Sequence, residues 1–429
     1  MPSAFFFTLG CRLNRAESAV MARSLEEAGY CITDERQNAD LCVINTCTVT
    51  DRSDSKCRQS IRAIVKGNPD AIVAVVGCFS QLESERIGKM GGVDIVLGNR
   101  EKFRIGHYAE RARSSSEPIV EVGDLSQDPF PFDAVGHYPG STRANLKIQD
   151  GCSFGCSFCI IPSARGRSRS RRIDAIRQEA KALGDAGIKE IVLTGVNVGT
   201  YRMDGIGIVE LTDLFDGIEG IRRVRISSIE PTTVGTEIFT PMRSERSKLV
   251  PHLHLPLQSG SDDVLRAMRR RYTAAEYADY VREAKRRVPE ICIGSDVIVG
   301  FPGETEERFD ETVRLLRCLP IHYFHVFPYA ERRGTVSAGM ENRIRSDTIS
   351  RRAALLRRLS ERKKAAFVDR FVGKTLEVLF EGKNRGDIWS GYTENYIRVS
   401  AESVAPLRNC IRPVKIVASK KGKALGRLA

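Results

Sequence analysis

Residues 149–162 read QDGCSFGCSFCIIP and set Cys152, Cys156 and Cys159 in a C-x3-C-x2-C spacing, directly after a run, Asn145 to Ile148, that predicts a β-strand. Three thiolates on one tight loop can grip three irons of a cubane cluster and leave the fourth iron open to an outside ligand. Structural zinc normally closes its shell with a fourth Cys or His. None follows here at such a spacing, since the nearest downstream histidine is His252.

Three more cysteines stand at the far ends of short strand-like runs nearer the amino terminus: Cys11 in TLGCRLN, Cys47 in VINTCTVT and Cys78 in VVGCFSQ. In an open α/β sheet the loops at the carboxyl ends of the strands converge on one crevice, so cysteines distant in sequence can meet there and hold a second cluster. A single one of them would read as a small buried residue. Cys31, Cys42, Cys57, Cys292, Cys318 and Cys410 lack that placement and are assigned to packing.

Around these motifs the chain divides into regions. Residues 1–113 alternate strand-like runs (Phe5 to Leu9, Leu41 to Asn45, Ile72 to Val76, Ile95 to Leu97) with helical periodicity, which predicts an open parallel α/β sheet. Residues 114–141, rich in Ser, Pro, Gly and Asp, read as an irregular linker. From 142 to 370, six strand candidates (Asn145 to Ile148, Glu190 to Thr194, Val224 to Ser227, His252 to His254, Cys292 to Val299, Tyr323 to Val326) predict a partial (β/α)6 barrel with its chemistry at the carboxyl ends of the strands. A helix from Arg343 to about Asp369 leads out of it. Residues 371–429 predict a small antiparallel β-barrel, in which Trp389, Tyr392 and Tyr396 are either base-stacking platforms or core.

Composition narrows the class. Hydrophobic residues make up 41% and charged residues 28% of 429, and no apolar run spans a bilayer, so a soluble, cytoplasmic protein without membrane contact is expected. Twelve cysteines without an export signal argue for metal binding over disulfides. The formal net charge is +13. Residues 341–429, with 21 Lys and Arg against 9 Asp and Glu, carry +12 of it, which points to a polyanion partner.

The set GCRLN, NTCTVT, GCFSQ, LKIQDGC-x3-C-x2-CIIP, HLHLPLQSGS, DVIVGFPGET and HVFPYAER, in this order, resembles the radical SAM methylthiotransferase family over most of the chain. The resemblance implies an amino-terminal cluster domain, a radical SAM barrel and a carboxyl-terminal TRAM domain. It implies two 4Fe-4S clusters, one on Cys152, Cys156 and Cys159 and an auxiliary one on Cys11, Cys47 and Cys78, with S-adenosylmethionine at the open iron of the first. GCRLN, NTCTVT and CIIPSARG are most similar to the branch acting on N6-threonylcarbamoyladenosine next to the anticodon of tRNA. Ser163 departs from the bulkier aromatic common in relatives. The implied reaction replaces the adenine C2–H by C–S–CH3, with one S-adenosylmethionine as methyl donor and another as radical source. An external sulfur donor, an electron donor and a monomeric enzyme are expected. Isopentenyladenosine tRNA, a ribosomal-protein side chain, or a non-catalytic zinc-stabilised RNA-binding role are the alternatives.

Supporting residues follow the strand ends. Phe158 suits a neighbour of the adenine of S-adenosylmethionine, and Gly195 and Asn197 in LTGVNVGTY suit its methionine end. Ser228, Glu230, Gln258 and Ser259 are candidates for ribose or nucleoside, with helix caps and loop hydrogen bonds as the competing reading. The run ARGRSRSRR offers Arg165, Arg167, Arg169, Arg171 and Arg172 to phosphates or to a carboxylate, against plain solvent-facing charge. GFPGET, with Gly300 and Gly303 and no P-loop lysine, predicts a strand-to-helix turn.

Overall fold

The computed structural model describes residues 1–125, 136, 138, 140–384 and 386–429. Residues 126–135, 137 and 139 of the expected linker lie outside the described residues. The amino-terminal part alternates β1 (Ser3–Thr8), α1 (Arg12–Glu27), β2 (Cys31–Thr33), β3 (Leu41–Thr46), α2 (Asp51–Gly67), β4 (Ile72–Gly77), α3 (Cys78–Gly88), β5 (Ile95–Leu97), α4 (Ile105–Ala112) and β6 (Ile119–Glu121). All six strands pair in parallel, in the order β2-β1-β3-β4-β5-β6. Every residue of β3 is buried, as expected of a parallel strand covered on both faces. Leu41 and Val43 join Met21, Leu25 and Ile105 on one side, while Cys42 and Ile44 join Ile61, Ile64 and Phe79 on the other.

Two strands of this sheet were not expected. β2 and β6 have three residues each, too few to show alternation, and β6 falls inside the segment read as linker.

The middle of the chain supplies β7 (Arg143–Lys147), the two-residue strands β8 (Gln149–Asp150) and β9 (Arg169–Ser170), and β10 (Glu190–Thr194), with α5 (Ile161–Arg165) and α6 (Ile173–Asp185) between them. It continues through α7 (Ile208–Asp213), β11 (Arg223–Ile226), β12 (His252–His254), α8 (Asp262–Ala267), α9 (Ala274–Arg287), β13 (Cys292–Val299), α10 (Glu306–Cys318) and β14 (Tyr323–Pro328). β7-β10-β11 and β12-β13-β14 form two parallel sheets, linked by single parallel bridges at Val224–Leu249 and Ser228–His254. The six strands thus curve into an incomplete barrel, and α1 lies against β7 at its open side.

Strand alternation splits this barrel into two chemistries. Leu146, Ile191, Val224, Leu253, Ile293, Phe324 and Val326 join the apolar shell under the helices. Their neighbours Glu190, Arg225, His252, His254, Asp296 and His325 point the other way. The lumen is therefore polar, unlike the aliphatic layers that fill a closed eight-stranded barrel.

After α11 (Ser346–Asp369), which lies along β14, the strands β15 (Thr375–Lys383), β16 (Ile388–Thr393), β17 (Arg398–Glu402), β18 (Ile411–Lys420) and β19 (Lys423–Leu428) close a barrel in the order β15-β16-β17-β19-β18. It is not purely antiparallel, because β17 and β19 pair in parallel. Its aromatics are packing groups and not base platforms. Trp389 is buried in the core and donates its indole N–H to the Ser403 carbonyl at 3.1 Å. Tyr392 and Tyr396 face the underside of the central barrel, where the Arg143 and Arg225 guanidiniums lie 4.8 and 4.9 Å from their respective ring centres. Arg223 donates to the carbonyls of Tyr392 (3.0 Å) and Glu377 (3.1 Å), and Arg225 to that of Glu394 (2.8 Å). Among the described residues no helix is long and apolar enough to cross a membrane.

Arg225 also pairs with fully buried Glu190 at 2.8 Å. Truncating one partner of such a pair strands the other, at a cost of roughly 3–5 kcal/mol. Because Arg143 remains 3.8 Å from Glu190, Arg225→Met is expected to lower unfolding free energy by about 3 kcal/mol in a chemical denaturation curve.

Candidate functional site

The first cysteine loop leaves β8 through Gly151, whose φ of +66° and whose missing side chain are both required: a Cβ there would sit 2.1 Å from the Arg167 carbonyl oxygen. Cys152 N–H donates to the Gly166 carbonyl (3.0 Å), Cys159 N–H to that of Cys156 (3.1 Å), and Ser157 ties the loop to the end of α8 through Met268 (3.1 Å) and Ala267 (2.8 Å). All three thiols are free and half-buried. Burial raises the Cys152 thiol and pushes that of Cys159 up to about 12, with Cys156 adding to both. Thiols held this firmly protonated become thiolates only when a metal supplies positive charge. The Arg270 guanidinium lies 3.2 Å from Cys156 Sγ and is itself paired with Glu230.

The second trio is built by three adjacent strands. Cys11 caps α1 after β1, Cys47 follows β3, and Cys78 opens α3 after β4, all at the carboxyl edge of the sheet. Gly10 (φ +94°) presses against them: a Cβ there would be 2.6 Å from Cys47 Cβ and 2.8 Å from its sulfur. Burial lifts the Cys47 thiol to about 12, and Cys11 and Cys78 push it further in the same direction. Asn99 Nδ2 lies 3.6 Å from Cys78 Sγ and donates to the Ala164 carbonyl at 2.6 Å, joining this trio to the helix behind the first loop. Cys57 is buried close by, but its thiol is turned to the Cys47 carbonyl at 3.2 Å. Cys42 and Cys292 are core residues. Each trio thus sets three free thiols on one loop or along one sheet edge, and three thiolates are the donor set that suits a cubane with one open corner.

A buried ionic knot binds the two loops. Glu17 accepts from Lys102 (2.6 Å), Lys147 (2.7 Å) and Arg165 (2.8 Å), and Asp150 accepts from Lys147 (2.7 Å) and Arg165 (3.0 Å). Burial alone would raise the Glu17 carboxyl, but Arg165, Lys102 and Lys147 together hold it well below the usual carboxylate range. The same contest leaves Asp150 at about 2.

This corrects the reading of the arginine run. Arg165 and Arg171 are fully buried, Arg165 in the knot and Arg171 against Glu179, and Arg169 stands 3.6 Å from Asp150. Arg167 and Arg172 are exposed. Internal carboxylates, not phosphates or solvent, take three of the five.

The remaining predicted residues surround the first loop. Close approach at Gly195 is to Gln149, whose Oε1 would lie 2.7 Å from a Cβ and accepts from Val196 (2.8 Å) and Asn197 (3.0 Å). Asn197 is buried with its Nδ2 unpartnered. Ser228 bridges to His254, Glu230 is committed to Arg270, and Gln258 adopts φ +69° with its N–H on the Asp296 carbonyl (2.8 Å). Phe158 packs against Val264, Met268, Ile298 and Phe301. Ser259 is turned into the core against Thr312 at 3.2 Å and is no ligand candidate. GFPGET is a turn: buried Glu304 accepts from Gly300 N–H (2.6 Å) and Arg352 (2.8 Å), filling the cradle internally. A cavity of about 720 Å³ opens between the two loops, with Thr48, Arg58, Ile160 and Ser163 in its wall. Arg270, Gln149 and Glu17 had no distinguishing sequence signal, since Arg270 is one of three consecutive arginines.

An incomplete six-stranded parallel barrel with a three-cysteine loop after its first strand defines a radical SAM protein, here flanked by a second α/β sheet with its own cysteine trio. Residues 146–316 match the Radical SAM superfamily and residues 3–98 match "Uncharacterized protein family UPF0004". The chain is 38% identical over 425 residues to threonylcarbamoyladenosine tRNA methylthiotransferase MtaB of Bacillus subtilis, covering 97% of this chain and 94% of the relative. It is 34% identical to tRNA-2-methylthio-N(6)-dimethylallyladenosine synthase of Acetivibrio thermocellus, covering 95% and 87%. Its fold resembles that of the radical S-adenosylmethionine methyltransferase TsrM from Kitasatospora setae, with a TM-score of 0.54, 16% identity and coverage of 76% and 72%. The chain belongs to the radical SAM methylthiotransferase family. It is an enzyme, a transferase of sulfur-containing groups, and its cofactors are S-adenosylmethionine and two 4Fe-4S clusters. The non-catalytic zinc alternative is thereby set aside.

Because Asp150 is held below its ordinary value of 3.8, its contribution to stability is full above that value and is lost as pH falls toward about 2. Acid titration of the wild type should show stability falling across this window, and Asp150→Asn should flatten that fall while lowering stability at neutral pH.

Proposed function

We propose that this enzyme methylthiolates C2 of N6-threonylcarbamoyladenosine next to the anticodon of tRNA. In this reading Cys152, Cys156 and Cys159 hold the cluster that binds S-adenosylmethionine, and Cys11, Cys47 and Cys78 hold the auxiliary cluster. The observation that carries it is the pair of free thiol trios locked together through Arg165 and Glu17. The bound cofactors supply the radical, the methyl group and the sulfur. The chain's own side chains orient them. Arg270 offers an N–H to Cys156 while Glu230 balances its charge, so Glu230 supports the loop beside the proposed ribose or nucleoside site. Gln149 fixes the loop after β10, and Asn197 Nδ2 is available to the methionine end of S-adenosylmethionine. Gly195, Ser228, Gln258 and Phe158 shape the same rim.

Relatives at 34–38% identity named for threonylcarbamoyladenosine support the substrate. Those at 31–34% named for dimethylallyladenosine define the second reading. The basic carboxyl-terminal quarter, with exposed Arg357, Arg358 and Arg362 on α11, is the proposed tRNA grip. External sulfur and electron donors complete the reaction.

Anaerobically purified protein should hold about eight iron atoms, four per cluster. Cys152→Ala should abolish S-adenosylmethionine cleavage, whereas Cys47→Ala should keep cleavage and lose methylthiolation. Product formation by Cys47→Ala would remove the auxiliary-cluster assignment. Nucleoside mass analysis of tRNA from a deletion strain fixes the substrate: 2-methylthio-threonylcarbamoyladenosine should vanish, and its persistence would rule the assignment out.

A further inference from the structure

The barrel lumen contains a cation that the chemistry so far does not use. Arg12 directly follows Cys11, and its Nη2 donates to the Tyr396 hydroxyl at 2.8 Å, with the guanidinium 5.8 Å from that ring's centre. The Tyr396 ring in turn lies 4.7 Å from that of His252 and 6.5 Å from that of Tyr323, which sets the guanidinium against the inner wall of β12 and β14. Arg165 and Arg225 are each matched by a buried carboxylate, and Arg270 by the half-buried Glu230. Among the described residues Arg12 makes no ion pair, and most of its five N–H donors stay free.

Beside it runs a ladder of rings. On β14, Phe324 and Val326 are buried outward, so Tyr323, His325 and Phe327 face the lumen. Their successive centroids are 5.6 and 6.5 Å apart. His325 is exposed and Phe327 is 41% exposed, an apolar surface left open inside the protein. The nearby carboxylate Asp296 is already engaged by His254 Nε2 at 2.9 Å. His254, Asp296 and His325 lie close enough to suit a divalent ion, but Arg12 and Lys364 both oppose added positive charge at His325. Arg12, which has no carboxylate partner among the described residues, is the group here that calls for an anion.

We propose that Arg12 binds the carboxylate of the threonylcarbamoyl group while the His325–Phe327 face stacks on the base, so that this wall separates an acidic N6 substituent from an uncharged isoprenoid one. The inference rests on the threonylcarbamoyladenosine reading above. Charge-assisted, forked contacts are what a guanidinium makes with a carboxylate. Its position one residue from Cys11 puts substituent recognition beside the proposed sulfur-delivering cluster.

The test uses the iron-loaded enzyme and three anticodon stem-loop RNAs carrying threonylcarbamoyladenosine, its methyl ester or plain adenosine, with Kd read by fluorescence anisotropy. Wild type should bind the free acid about tenfold or more tighter than the ester. Arg12→Gln should bind both as wild type binds the ester, with iron content unchanged as the check on folding. Tyr396→Phe, which removes the hydrogen-bond partner and keeps the cation, should retain the preference. A preference that survives in Arg12→Gln, or is lost equally in Tyr396→Phe, overturns the assignment. If wild type prefers threonylcarbamoyladenosine over adenosine but ignores esterification, the Arg12 role fails and the substrate reading stands. No preference over adenosine sinks both.

Discussion

The arrangement depends on one buried carboxylate. Glu17 lies six residues after Cys11, and Arg165 lies six residues after Cys159, so their 2.8 Å contact sets the two thiol trios against each other. Lys102 reaches the same carboxylate from the turn after β5, and Lys147 from the end of β7. An apolar seam could slide by a fraction of a side chain at little cost. A buried ion cannot, because any lost partner leaves an uncompensated charge in a low dielectric. Lys102, Lys147, Arg165 and Arg169 outnumber Glu17 and Asp150, so the knot stays net positive, and Arg165 carries part of that charge toward Cys11 and Cys78.

The cysteine trios were legible because spacing and strand ends are local signals. Cys152, Cys156 and Cys159 declare themselves within eight residues, and Cys11, Cys47 and Cys78 each sit just past a β-rich run. The six barrel strands were legible for the same reason, since their apolar shell repeats with period two. What stayed hidden is partner choice. ARGRSRSRR shows five cations in sequence, yet Asp150, Glu17 and Glu179 decide that Arg165, Arg169 and Arg171 turn inward. Likewise Tyr392 and Tyr396 look like surface aromatics in a basic domain until Arg143, Arg225 and His252 are placed beneath them. Long-range electrostatics has no period to read.

The carboxyl-terminal barrel therefore has two faces with different tasks. Its inner edge supplies carbonyls of Glu377, Tyr392 and Glu394 to Arg223 and Arg225, closing the lower end of the central barrel. Its outer strands carry exposed Arg412, Lys415, Lys420, Lys421 and Lys423, placed to face a polyanion. Closure matters because the lumen is polar: without a lid, Glu190 and Arg225 would be solvated and the field inside would be screened.

The cations nearest the sulfurs show how that field is managed. An unpaired guanidinium beside a cluster would stabilise its reduced, more negative state and raise its potential. Arg270 donates to Cys156, yet Glu230 neutralises it. Arg165 acts on Cys11 and Cys78, yet Glu17 and Asp150 share its charge. Each trio thus receives oriented N–H groups whose charge is shared with nearby carboxylates. Arg12 is the exception, a cation with no carboxylate partner among the described residues, and of these three arginines it is the one that reaches the open lumen instead of a sulfur.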